Sequence, residues 1–125
     1  MTRASTVVQM LIRACFVVQL VLGGLFWINN ARGLVPPHQL VGFVLVAAIW
    51  VQAGLAARAG VNLGLVAFTV VWALVVPILG LSQTELLPGS AHWVIQVVHL
   101  LVGIIAVGLA ERLATGIRGR TLARS

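Results

Sequence analysis

Hydrophobic residues fill four long stretches of the chain, at about 10–30, 36–57, 62–83 and 91–113, each near the roughly 20 residues that an α-helix needs to cross a bilayer. Polar turn chemistry separates them: "NNARGLVPP", "ARAGVN" and "SQTELLPGS" gather Asn, Gly, Pro and Ser. Pro36 and Pro37 suit a first helical turn, where a missing N–H costs nothing, and Pro77 is expected to kink the third span. Loops this short force consecutive helices to be antiparallel neighbours. The pattern therefore predicts an all-α, integral-membrane four-helix bundle, up-down-up-down, as one transmembrane domain over residues 1–125.

Within this apolar background, "HWVIQVVHLLVG" (residues 92–103) stands out. His92, Gln96, His99 and Gly103 fall at helical spacing on one face. A related string opens the second span: "HQLVGFVLV" (38–46) and "HLLVGIIAV" (99–107) agree at five of nine positions. Matches of Leu, Val and Gly are cheap in membrane sequence, whereas matched histidines are not, because the chain holds only three.

Composition sharpens the class. The chain is 61% hydrophobic and 8% charged, far from the soluble balance of about a quarter charged residues. It has no Lys, Asp or Tyr, and its only acids are Glu85 and Glu111. The net charge of +6 is carried by arginines at segment ends, so it signals membrane orientation and lipid headgroups rather than nucleic acid. With both termini cytoplasmic, Arg3, Arg13, Arg58, Arg112, Arg118, Arg120 and Arg124 lie inside and only Arg32 outside. That bias predicts a multi-pass protein of the cell inner membrane. The N-terminal stretch has the basic-then-apolar look of a signal peptide. It lacks a small-x-small cleavage site at a sensible distance and reads as a retained helix. Cys15 is the only cysteine, which excludes an internal disulfide and a Cys-x-x-Cys-His haem attachment. Ser82 and Ser90 have no acid–base pair placed to activate them, and no carboxylate is placed deep in a span as a proton pathway needs.

A histidine followed one turn later by glycine has a chemical rationale. Neutral imidazole ligates haem iron, and the flat porphyrin must lie against the helix supplying the ligand. Gly42 and Gly103 are small at that turn. His38 and His99, on the second and fourth spans, are the expected ligands of one haem b, with His92 as the alternative to His99. The competing reading is structural: glycine lets helices approach closely, and interfacial histidines simply meet water. His99 argues against it, lying about 10 Å below His92 by helix rise, where an imidazole needs a partner or a task. Depth counting is divided. His38 and His92 each lie 20 residues from Arg58 and Arg112, whereas His99 lies 19 from Arg118. Gln19 and Gln96 are candidates to orient a ligating imidazole. Arg32, with Asn29 and Asn30, is a candidate to hold haem propionates. Gln52 reads as a hydrogen-bonded link between helices.

The pattern "Q…HQLVG" followed by "GLSQ…HLLVG", over residues 13–114, resembles an uncharacterised bacterial family of small four-helix membrane proteins. More distantly it resembles cytochrome b561-type proteins and one half of haem A synthase. The resemblance implies paired helical histidines on haem, here His38 and His99, with Gln19 and Gln83 as the matching glutamines. Three histidines cannot supply two bis-histidine sites, and no acidic residue matches the one near the outer helix ends of the synthase. The expected function is electron transfer through haem, linked to a quinol or quinone, by a carrier rather than a stand-alone enzyme. The alternative is an accessory or assembly subunit without a cofactor, packed against other membrane subunits or against copies of itself.

Overall fold

A computed structural model describes residues 2–125, and among them there are four α-helices and no strand. They are α1 (Arg3–Asn29), α2 (Val35–Arg58), α3 (Leu63–Ser82) and α4 (His92–Arg124), with a single 3-10 turn at Arg32–Leu34 before α2. All four are long and apolar enough to cross a membrane.

Local chemistry sets several of the ends. The Thr2 hydroxyl accepts from the Ser5 N–H at 3.3 Å and so caps α1. The Asn62 carbonyl oxygen accepts from the Leu65 N–H at 3.1 Å and caps α3. Both are side chains that favour this position because they satisfy an otherwise unpaired helical N–H. α1 stops where Asn30 enters the left-handed region, at φ 48°, and α2 starts with Pro36 and Pro37 in its first turn.

Two helices exceed the apolar runs that signalled them. α1 begins at Arg3 rather than near residue 10, and α4 continues to Arg124 rather than ending near 113. Hydropathy marks where the oily stretch ends, not where the helix does. The extensions persist because packing holds one face of each: Ser5 and Gln9 of α1, and Leu113, Ala114 and Ile117 of α4, are buried. At 33 residues, α4 is about 50 Å long by helix rise.

α2 is central and packs on α1, α3 and α4, whereas α1 and α3 do not touch. The core lies in the half of the bundle that holds Arg58 and the C-terminal part of α4. There Ile12, Leu45, Ile49, Ala73, Val107 and Ala110 form one apolar cluster, continued by Ala53, Ala56, Val61, Leu113 and Ile117. Alanines at so many contacts let helix backbones approach closely, the usual basis of packing in lipid, where apolar surface alone gives no preference for protein.

Polar ties cross this core. Gln52, wholly buried on α2, donates through Nε2 to Ser5 Oγ at 3.0 Å and to Gln9 Oε1 at 3.3 Å, both on α1. Gln52 is thus the interhelical link its position suggests. Trp72 Nε1 donates to the Val102 carbonyl at 3.0 Å, fixing α3 to α4, and Trp50 Nε1 donates to the Val70 carbonyl at 3.1 Å, fixing α2 to α3. A bidentate ion pair, Arg13 Nε to Glu111 Oε1 at 2.6 Å and Arg13 Nη2 to Glu111 Oε2 at 2.9 Å, joins α1 to α4 on the exposed side. Arg13 is therefore engaged within the bundle and is not a free end-of-segment charge.

A histidine-lined cavity between the helices

Beyond the close-packed half, the four helices separate around a cavity of about 440 Å³. Every helix contributes to its wall: Gln19 and Gly23 from α1, His38 and Gly42 from α2, Pro77 and Gly80 from α3, His99 and Gly103 from α4. A second, smaller space of about 380 Å³ adjoins it and shares Phe26, Trp27, Val35, Thr84 and Gln96 with it. This second space is the polar mouth of the first, edged by Asn30, Arg32 and His92.

The structure brings His38 and His99 together across the cavity. Their ring centres are 6.4 Å apart and their planes 58° from parallel. Each imidazole lies on a glycine of the neighbouring helix. A Cβ added to Gly23 would stand 3.4 Å from His38 Cε1, and one added to Gly80 would stand 2.9 Å from His99 Cε1. His38 thus sits against α1 and His99 against α3. The α1–α2 pair and the α3–α4 pair each present one ring, seated on a glycine, toward the space between them. These two seats are the part of the site that sequence reasoning misses. Gly23 and Gly80 are visible as small residues, but nothing in the letters pairs them with a histidine on the next helix.

Hydrogen bonding leaves the rings available. His38 Nδ1, His99 Nδ1 and Gln19 Oε1 are buried without a hydrogen-bond partner among the described residues. Buried polar atoms are nearly always paired, so three orphans at one cavity call for an explanation. The cavity wall carries no Arg, Asp or Glu, and its polar groups beyond the histidines are four glutamines and Thr84.

The other sequence-derived candidates are distributed as follows. Gln96 lines both the cavity and its mouth, and Gln83 lines the cavity. Gln19 packs against Gly42, one turn along α2 from His38, with its Nε2 only 2.9 Å from where a Cβ on Gly42 would be. The Gln19 amide thus occupies the place of a Cβ at Gly42, while Gly42 itself lines the cavity. Gly103 is different: nothing lies within 4 Å of its Cβ position, so that side of the cavity is clear. His92 stays apart from the pair, at the first residue of α4, with Nδ1 3.2 Å from the Leu86 carbonyl oxygen. Counting depth from Arg112 misplaces His92 as the partner of His38, because α4 does not end there. Arg32 and Asn30 stand at the mouth, whereas Asn29 closes α1 outside both spaces.

No protein-family model matches this chain, and no curated protein or solved structure matches it.

Proposed function

We propose that the cavity binds one haem b, which His38 and His99 would hold, and that the protein is a membrane electron carrier. The observation that carries this reading is the imidazole pair. Two imidazoles that both bind one metal through bonds of about 2.0 Å would have their ring centres roughly 6 Å apart. The observed separation is 6.4 Å.

The donor set selects among metals. No group of three or more His, Cys, Asp or Glu able to hold a metal ion is present among the described residues. A bare zinc ion needs three or four protein ligands, whereas a lone histidine pair suits a metal that brings the remaining ligands with it. Iron in a porphyrin does so. The size of the cavity lies within the range of ordinary cofactor pockets, about 300–1,000 Å³. Its uncharged wall suits the apolar body of the macrocycle. At the mouth, Arg32 and Asn30 are placed to receive carboxylates.

The protein's own part is to bind and orient. Gly23 and Gly80 set the two rings, and Gln19, against Gly42 one turn along α2 from His38, lines the same cavity. When bound, haem supplies reversible one-electron exchange, and the polypeptide contributes no covalent chemistry. The electron donor that fits a site open to the bilayer interior is a quinol.

Protein purified in mild detergent should show a Soret band, and sharp α and β bands on reduction by dithionite or by a short-chain quinol. A colourless preparation from cells supplied with haem precursor would overturn this reading in favour of a cofactor-free accessory subunit.

The same reading includes an up-down-up-down path with both termini cytoplasmic in the inner membrane. It is supported by the seven arginines assigned to that side and by the loops 30–34 and 83–91 meeting at one mouth. Reporter fusions after Ser125 and near Gly60 should both score cytoplasmic, and one near Gly89 external. A periplasmic score after Ser125 would reverse the orientation.

A further inference from the structure

We infer that the ligand of this cavity enters sideways from the bilayer, through a slot between α1 and α4. The inference rests on the haem reading above. α1 and α4 are not consecutive, so no loop joins them, and the Arg13–Glu111 ion pair ties them at one level only. From that pair toward the mouth, α1 presents Leu20 and Gly24, which follow Arg13 at i+7 and i+11 and share its face. α4 presents Gly103 and Leu100, at i−8 and i−11 from Glu111, on nearly the same face. All four line the cavity. Gly24 and Gly103 both have empty space within 4 Å of their Cβ positions. The seam that is latched at Arg13 is thus unfilled about 12–16 Å further along, by helix rise. Leu20 is 42% exposed and also lines the cavity.

The chemistry of the ligand fits that route. A porphyrin is flat and mostly apolar, and it partitions into lipid. Its carboxylates would remain at the level of Arg32 and Asn30 while the apolar edge slides between the helices. The polar mouth is the alternative entrance. It is the more polar route for an apolar disc, being bordered by Arg32, Asn30 and a His92 ring set against the Leu86 carbonyl.

The test uses the full chain as apoprotein in lipid nanodiscs, with haem added and the Soret band followed in time. In a Cys15→Ala background, Leu20→Cys and Leu100→Cys are bridged by a short bis-maleimide. Bridging before haem is added should slow uptake by about tenfold or more, and bridging after loading should leave the pigment in place. Because Leu20 and Leu100 line the cavity, the unbridged double variant, loaded in parallel, supplies the reference rate against which the bridge alone is read. The same bridge across Phe43→Cys and Leu81→Cys, on the α2–α3 side, should not slow uptake. Unchanged uptake with the α1–α4 seam bridged, or blockage only from the α2–α3 side, would overturn the route while leaving haem binding intact. Gly24→Trp gives an independent reading: a narrowed passage slows uptake and release by the same factor. Faster release with weakened affinity would instead mark a damaged site and count against the slot. Failure of the parental protein to take up any haem would remove the ligand reading itself, and the route with it.

Discussion

His38→Ala and His99→Ala should each abolish the low-spin reduced spectrum, whereas His92→Ala should leave it nearly unchanged. If His38 and His99 both ligate, losing either leaves iron with one protein ligand and converts any retained pigment to a high-spin form. His92 is not placed to substitute: its ring is engaged with the Leu86 carbonyl at the start of α4, and it lines only the mouth. Purified variants compared by absorbance, at equal protein concentration, decide the matter. Bleaching by His92→Ala with His99→Ala spared would exchange the two roles and leave His99 as a half-buried imidazole without a function.

The second large effect is expected at a position with no donor atom. Gly80→Leu should lose the pigment although both histidines remain, because even a Cβ at Gly80 would lie 2.9 Å from His99 Cε1. The ring would have to leave its seat, and displacing a ligand by about 1 Å is enough to spoil a preorganised site. Gly103 offers the contrast. Gly103→Ala should be tolerated because its Cβ would meet nothing, whereas Gly103→Leu should compete with the ligand for the same space. Pigment per protein across these three variants separates seat from clearance. Equal loss in all three, accompanied by aggregation, would mean that the glycines serve helix packing alone.

Sequence and structure agree most where a physical signal is local. Four apolar runs suffice to mark four helices, and a histidine repeated in a chain with three is a local signal too. The seats of the rings are not local. Gly23 stands 15 residues before His38, and Gly80 stands 19 before His99. The unequal loops hide the equivalence of the two helix pairs from any alignment at one fixed offset. The Arg13–Glu111 pair spans 98 residues and is legible only once the relative depth of α1 and α4 is known. Charge counting treats Arg13 as one more orientation signal. Likewise the assignment of Gly42 as clearance follows from spacing on one helix, which says nothing of the Gln19 amide that α1 sets against it.

The division of the bundle has a thermodynamic consequence. One half is close-packed by Ile12, Leu45, Ile49, Val107 and their neighbours. The other encloses a cavity with three buried polar atoms lacking partners. A ligand held by His38 of the α1–α2 pair and His99 of the α3–α4 pair would act as a staple between the two pairs at that level. Mass action then links occupancy to survival: at a free ligand concentration one hundred times Kd, binding adds about 2.7 kcal/mol to stability. In a membrane with active quality-control proteases, the unfilled protein would be the form removed first. The steady-state amount of the protein would then follow the supply of its ligand without any regulator acting on its synthesis.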